Sequence, residues 1–492
     1  MPDFSMIVLG AVDASDVPRL LTVLGISVAV LLVMILVLRI QAFVALLVAS
    51  IVVGIGAGMD LTLLANEIIK GMGSGLGFIA AVIGVGAIFG QIMEHSGGAQ
   101  ALSKSLLGFF GEKRSSWAMV ITGFIVSVPV FFDVGLVILA PILYSLARST
   151  GKSVLYFGLP LIAGMAVTHA FVPPTPGPVW VSYQLGVGLG WVIIFGAAVG
   201  FPTAVIAGIF LARKMGEKLM IEPPELEEDE LDHSSLPKFS TIILLIGLPI
   251  LLIVAATVVT EITASGLDRT AVAEKMENDP SLSEKDARGA VLKSMLLEIP
   301  LYQKVIVFIG HPMVALLLAT LLSLYFLGIR RGATKQQLCD LSTKALGPAG
   351  VIILITGAGG VFKHMMIKTG VGDALKAQFA DSGLHVLLVA FILTLLVRLA
   401  QGSATVAMVM GAGLMASIID GAGYSQAQLA LITVTIAAAA TAVSHVNDSG
   451  FWMVNRYLGM TEKQTLKTWT VITTVIAGVG FGIASLLWMF VS

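Results

Sequence analysis

Long apolar runs constrain this chain more than any other feature. They lie near 20–38, 41–58, 76–93, 116–147, 154–172, 187–212, 239–259, 304–328, 349–366, 386–420, 427–446 and 468–491. Each is about as long as, or longer than, the 17–25 residues a helix needs to cross a bilayer. In hydrocarbon every backbone polar group needs an internal partner, so such runs fold as membrane-spanning helices. The totals agree, with 57% hydrophobic and 12% charged residues, against about 25% charged in a soluble domain. A net charge of −1 suggests no nucleic-acid partner. Cys339 is the only cysteine, which excludes an intramolecular disulfide and a CxxC metal site. The N-terminal segment lacks a basic region and holds Asp3, Asp13 and Asp16, so it reads as a short tail rather than a cleaved signal.

Charges gather between the runs. Seven acidic residues fall between Glu222 and Asp232 and read as a solvated linker between two halves. Leu267 to Pro300 is of mixed charge and reads as a surface segment with a helix. Arg39, Lys113, Arg114, Arg148, Lys152, Arg213, Lys214, Arg330 and Arg331 sit at ends that the excess of basic residues in cytoplasmic loops places inside. The acidic N-terminal tail, the 261–302 loop and the uncharged C-terminus then lie outside.

The chain repeats itself. "GAIFGQIMEHSGGAQAL" (Gly86 to Leu102) resembles "GGVFKHMMIKTGVGDAL" (Gly359 to Leu375), and "GPVWVSYQLG" (Gly177 to Gly186) resembles "GFWMVNRYLG" (Gly450 to Gly459). Phe89 and Phe362, like Gly177 and Gly450, stand 273 positions apart. The loop at 148–152 is basic and its counterpart at 421–425 is uncharged, so the halves are expected to cross the membrane in opposite senses. The expected fold is an all-α polytopic membrane protein of two inverted-topology repeats with roughly 11–14 apolar segments. Its parts are a scaffold at 1–72, a first repeat at 73–213, connecting loops and two spans at 214–346, and a second repeat at 347–492.

Each half is broken twice at matching places. "VTHAFVPPTPGPVW" (Val167 to Trp180) holds four prolines within six residues, which no helix survives; its counterpart is "SHVNDSG" (Ser444 to Gly450). The other pair is "SVPVFFDVG" (Ser127 to Gly135) and "AQGSATVAM" (Ala400 to Met408). Broken helices are tolerated at membrane depth only where freed backbone groups face protein or a water-filled cavity. Half-helix N-termini carry partial positive charge and suit an anion. The expected substrate-binding groups are Ser403, Thr405, Thr175 and Ser449 by hydroxyl, Gln401 and Asn447 by amide, Gly402 by backbone, and Asp133.

Ionisable residues at these breaks are candidates for proton coupling: Asp133, Asp448, His169 and His445. Desolvation favours the neutral form of a carboxylate, which then binds or releases a proton as water access changes. The structural alternatives are that Asp133 and Asp448 cap the next half-helix and that the histidines are hydrogen-bonded in place. Arg398 ends an apolar run and can pair with a carboxylate or with substrate. Glu94 and His95 end a span, where snorkelling to the interface is expected. "GMGSGLG" (Gly71 to Gly77) lacks the Gly-Lys-Ser/Thr ending of a phosphate loop. "GVGD" (Gly370 to Asp373) matches the GxGD of intramembrane aspartyl proteases, but Asp373 falls in a predicted loop and its repeat partner "GGAQ" has no Asp. An intramembrane hydrolase is therefore the alternative from another class.

"GAIFGQIMEHSGGAQ", "VPVFFDVGLVILAPI", "THAFVPPTPGP", "RLAQGSATVAM" and "SHVNDSGFW" together resemble the gluconate–proton symporter (gluconate permease, GntP) family of the ion transporter superfamily. The resemblance implies proton-driven uptake of a small hydroxy-acid anion across a bacterial inner membrane, with H+ as coupling ion and no cofactor. It also implies a homodimer, each chain bearing two re-entrant hairpins tipped by "FFDVG" and "QGSAT". Many gluconate-type members read His where this chain has Thr175. The substrate thus stays a short list of gluconate, D-serine, glycerate, fructuronate and hydroxybutyrate.

Overall fold

The computed structural model of the chain describes residues 16–111, 114–223, 236–267, 269–278, 284–446 and 448–491. All regular secondary structure among them is helical. The first half runs α1 (Val17–Leu36), α2 (Ala42–Gly56), α3 (Leu61–His95), α4 (Gly98–Phe110), α5 (Ser115–Val126), α6 (Phe132–Thr150), α7 (Val154–Phe171), α8 (Pro176–Leu185), α9 (Leu189–Val205) and α10 (Arg213–Lys218). A connecting group follows: α11 (Phe239–Ser265), α12 (Arg269–Asn278), α13 (Glu284–Glu298), α14 (Leu301–Ile309) and α15 (Pro312–Ser323). The second half is α16 (Lys335–Lys368), α17 (Val371–Ser382), α18 (Val386–Gln401), α19 (Ala404–Ile419), α20 (Gln426–Thr441), α21 (Ser449–Tyr457) and α22 (Glu462–Trp488). Nine segments among the described residues are long and apolar enough to cross a membrane.

Capping chemistry sets many of the helix starts. Asp60 accepts from the N–H of Thr62 at 2.7 Å. Thr334, Ser425 and Thr461 each exchange hydrogen bonds with a Gln three residues on, the reciprocal arrangement that satisfies two orphan donors at once. The 116–147 and 386–420 runs are each two helices, split at Ser127–Phe131 and at Gly402–Ser403. Gly402 takes φ 82°, a left-handed turn that a side chain disfavours. Asp373 is not in a loop, as its sequence context suggests, but in the first turn of α17.

The order of elements recurs. α3 to α9 begin at 61, 98, 115, 132, 154, 176 and 189; α16 to α22 begin at 335, 371, 386, 404, 426, 449 and 462, each 271–274 residues later. Packing recurs with partners exchanged. α8 lies on α19 and α21 on α6; α2 packs on α16 and α15 on α3; α9 touches α20 and α22 touches α7. Glycines permit the closest crossings. A Cβ on Gly123 would strike the Leu161 carbonyl oxygen and one on Gly164 the Val120 carbonyl oxygen, so α5 and α7 meet backbone to backbone. α7, α8 and α20 are buried almost throughout, whereas α11 and α22 turn most of their apolar surface outward.

Two sets of hydrogen bonds place the starts of α7 and α20. Val154 N–H donates to the Ile221 carbonyl at 3.0 Å, and Ile221 N–H to Ser153 Oγ at 3.0 Å, so α7 begins where α10 ends. At α20, Gln426 Oε1 accepts from the N–H of Gly188 at 2.8 Å, so this helix begins beside the turn from α8 to α9.

Candidate functional site

A cavity of about 280 Å³ lies where three of the four breaks meet; among the described residues, none of the Ser444–Gly450 break lines it. One wall is the 129–134 segment at the start of α6; others are His169 near the end of α7, Pro176 at the start of α8 and Thr405 at the start of α19. Opposite them stand Gly90, Gln91 and Glu94 of α3 and Ala345, Pro348 and Ile352 of α16. Gly90 is there for contact, since a Cβ would strike the Pro129 carbonyl oxygen. The N-termini of α6, α8 and α19 thus open on one space. First-turn N–H groups lack helical acceptors, and helix dipoles make such ends attractive to anions.

Asp133 sits in the first turn of α6, with Phe131 as the cap residue. The residue is accessible where it lines the cavity. His169 is half-buried; its Nδ1 is fully enclosed without a hydrogen-bond partner, and its ring meets Phe131 edge-on at 6.2 Å. Thr405 lines the same space, while Ser403 caps α19 by accepting from Val406 N–H at 3.4 Å. Gln401 is buried and accepts from Ser403 N–H at 3.3 Å. Thr175 is buried in a small adjoining void, its hydroxyl donating to the Val172 carbonyl at 2.9 Å. Thr175 and Asp448, which stand 273 positions apart like the other pairs of the repeat, occupy the same place, each the cap residue of the short helix after a break.

Asp448 is held on three sides. Oδ1 accepts from Gly450 N–H at 3.0 Å; Oδ2 accepts from Arg398 Nη2 and from Ser444 Oγ, both at 2.5 Å. It therefore caps α21, the structural alternative, and also closes an ion pair. Arg398 is 2% exposed and donates through Nε to the Ala442 carbonyl at 2.9 Å. Trp469 Nε1 donates to Ser444 Oγ at 2.8 Å, and the Trp469 ring stacks on Phe132 at 5.4 Å, which brings the start of α6 against this network. His445 directs Nε2 to the Leu399 carbonyl at 3.3 Å. Ser449 is exposed at the start of α21. Asn447 lies outside the described residues.

Glu94, in the last turn of α3, forms part of the cavity wall and accepts from Gln91 Nε2 at 2.8 Å, a neighbourhood that its place at the end of an apolar run does not reveal. Gln91 was not singled out in the sequence at all. The signal that was available is the "FGQIME" stretch, which places two polar side chains three residues apart on one face of α3.

Comparison with known proteins follows the same lines. Residues 19–283 and 286–491 match the GntP family permease profile. The low-affinity gluconate transporter of Escherichia coli K12 is 35% identical over 94% of this chain and 96% of its own length. The Gnt-II system L-idonate transporter of the same organism is 32% identical over 94% and 97%. Among solved structures, Neisseria gonorrhoeae MtrF, described as illuminating a class of antimetabolite efflux pumps, aligns with a TM-score of 0.58 at 16% identity over 95% of this chain and 94% of its own. That likeness speaks to fold alone and agrees with an all-helical transporter architecture. The chain belongs to the GntP permease family: it is a multi-pass membrane transporter and not an enzyme.

Proposed function

We propose that this protein is a proton-coupled symporter that imports gluconate or a related small hydroxy-carboxylate across the bacterial inner membrane. The observation that carries the reading is the meeting of three helix N-termini with Asp133, His169 and Thr405 around one cavity. Its volume of about 280 Å³ is close to the lower end of small-molecule sites, about 300–1,000 Å³. The N-termini, the hydroxyls and Gln91 supply hydrogen-bond partners for the oxygens of an anionic polyol, and Asp133 and Asp448 take up the coupling proton. The names of the related transporters, for gluconate and L-idonate, support the substrate class.

Opposed halves are part of the reading. α7 and α8 run from the side of Ile221 to the side of Gly186, while α20 starts beside Gly188, which supports equivalent spans of opposite direction. Re-entrant hairpins are supported in the same way. Val120 lies beside Gly208 and Phe124 beside Gly200, so α5 runs parallel to α7, while α6 ends where α7 begins. With the basic residues inside, the cavity reaches toward the cytoplasmic ends of α3 and α16 and both termini lie outside. The family resemblance extends the reading to a homodimer.

The test is uptake into proteoliposomes from a panel of labelled sugar acids and amino acids, with and without a pH gradient. Accumulation of a hydroxy acid only with the acidic side at the side of entry is the expected result. Accumulation that ignores the gradient would remove proton coupling, and no uptake of any sugar acid would remove the substrate class.

A further inference from the structure

The carboxylate of Asp448 sits as a bound anion would. A guanidinium, a serine hydroxyl and a helix N-terminal N–H all point at it, the donor set expected for a substrate carboxylate. Arg398 is fixed by Nε on the Ala442 carbonyl and gives Nη2 to Asp448, while Nη1 is enclosed with no acceptor. A buried guanidinium normally satisfies its donors. The Nη1–Nη2 edge is therefore half used, and a second carboxylate oxygen would complete the bidentate pair that arginine favours.

We infer that Arg398 is the substrate-carboxylate site and that Asp448 is its built-in competitor. Protonation of Asp448 removes the negative charge from Oδ2 and frees the Nη1–Nη2 edge, which then takes both oxygens of the substrate carboxylate. Loss of that proton on the other side restores the ion pair and expels the anion. Charge balances at each stage, since one proton and one monoanion replace one ion pair around Arg398. The low-dielectric surroundings enforce the exchange, because a buried guanidinium without a counter-charge is strongly disfavoured. Among the described residues, the groups that face this pair are few. Asp133 on α6 is a second carboxylate that interacts with Asp448. Trp469 and Thr473 on α22 offer only neutral groups, as does Ser444. His445 is turned to Leu399.

This inference rests on the symporter reading, and the experiment separates the two. Binding of D-gluconate, glycerate and D-serine to the purified full chain is measured by calorimetry over a pH series, in buffers of differing ionisation enthalpy, so that linked protons are counted. The wild type is expected to lose affinity with rising pH, by up to about tenfold per unit for each linked proton. Asp448→Asn should bind with one linked proton fewer and more tightly than wild type at high pH. Asp133→Asn, measured alongside, isolates the share of the other carboxylate. Arg398→Gln/Asp448→Asn removes both charges together, leaving no buried charge unpaired, and should lose at least about a hundredfold in affinity while keeping its melting temperature. A proton count in Asp448→Asn equal to the wild type, or wild-type affinity in the double variant, overturns the inference and leaves the symporter reading intact. A wild type that binds none of the three ligands at any pH overturns both.

Discussion

The hydroxyl of Tyr144 donates to the carbonyl of Tyr457 at 2.6 Å, which ties α6 to α21 of the other half. Tyr144 is buried, so Tyr144→Phe leaves that carbonyl without its donor. The expected cost is about 1–2 kcal/mol of stability. Thermal unfolding in detergent reads it, and a melting curve that does not move would mean the bond contributes nothing.

Backbone contact between α5 and α7 leaves no room for side chains at Gly123 and Gly164. Gly164→Val is expected to cost at least the about 1–3 kcal/mol of an overpacked core, and to cut the yield of monodisperse protein sharply. Gly247→Ala in α11, where a Cβ meets nothing, should be neutral or stabilise by up to about 1 kcal/mol. Equal behaviour of the two variants on size-exclusion chromatography would contradict the crossing.

Asp133→Asn should abolish accumulation of substrate against its gradient while sparing exchange of internal for external substrate. Counterflow and pH-driven uptake in the same proteoliposomes provide the comparison. A variant that concentrates substrate as the wild type does removes Asp133 from the coupling step.

Thr405 faces the cavity, whereas Ser403 caps α19. Thr405→Ala is expected to raise the apparent KM by about 2–12-fold, the loss of one hydrogen bond worth about 0.5–1.5 kcal/mol. Ser403→Ala should weaken affinity too, with a further loss of about 0.5–2 kcal/mol of stability from the missing cap. Unchanged KM for both variants would move the substrate elsewhere.

Much of this architecture can be read from residue order, and the reason is local. Proline, glycine and capping chemistry act on their own neighbours, so the breaks at Ser127–Phe131, Gly402–Ser403 and after Phe171 are marked in the chain itself. The pairing of Thr175 with Asp448 was legible because a repeat preserves spacing. What the residues do not carry is depth and long-range partnership. Glu94 stands at the end of a span, in the last turn of α3 (Leu61–His95), but at about 1.5 Å per residue that helix is longer than the bilayer is thick. Its polar end is thereby free to border a cavity. Arg398 and Asp448 are 50 positions apart with α19 and α20 between them, and the packing of α18 against α20 brings them together.

The exchange of partners between α8 and α19, and between α6 and α21, has a consequence for biogenesis. When the ribosome has made only the first half, α6 and α8 are in the membrane but the surfaces they will lie on have not been translated. A nascent chain must therefore hold its proline-broken segment in an unfinished state until late in synthesis. Neither half expressed by itself should reach the finished arrangement, and the two supplied as separate polypeptides would have to interlock before either matured.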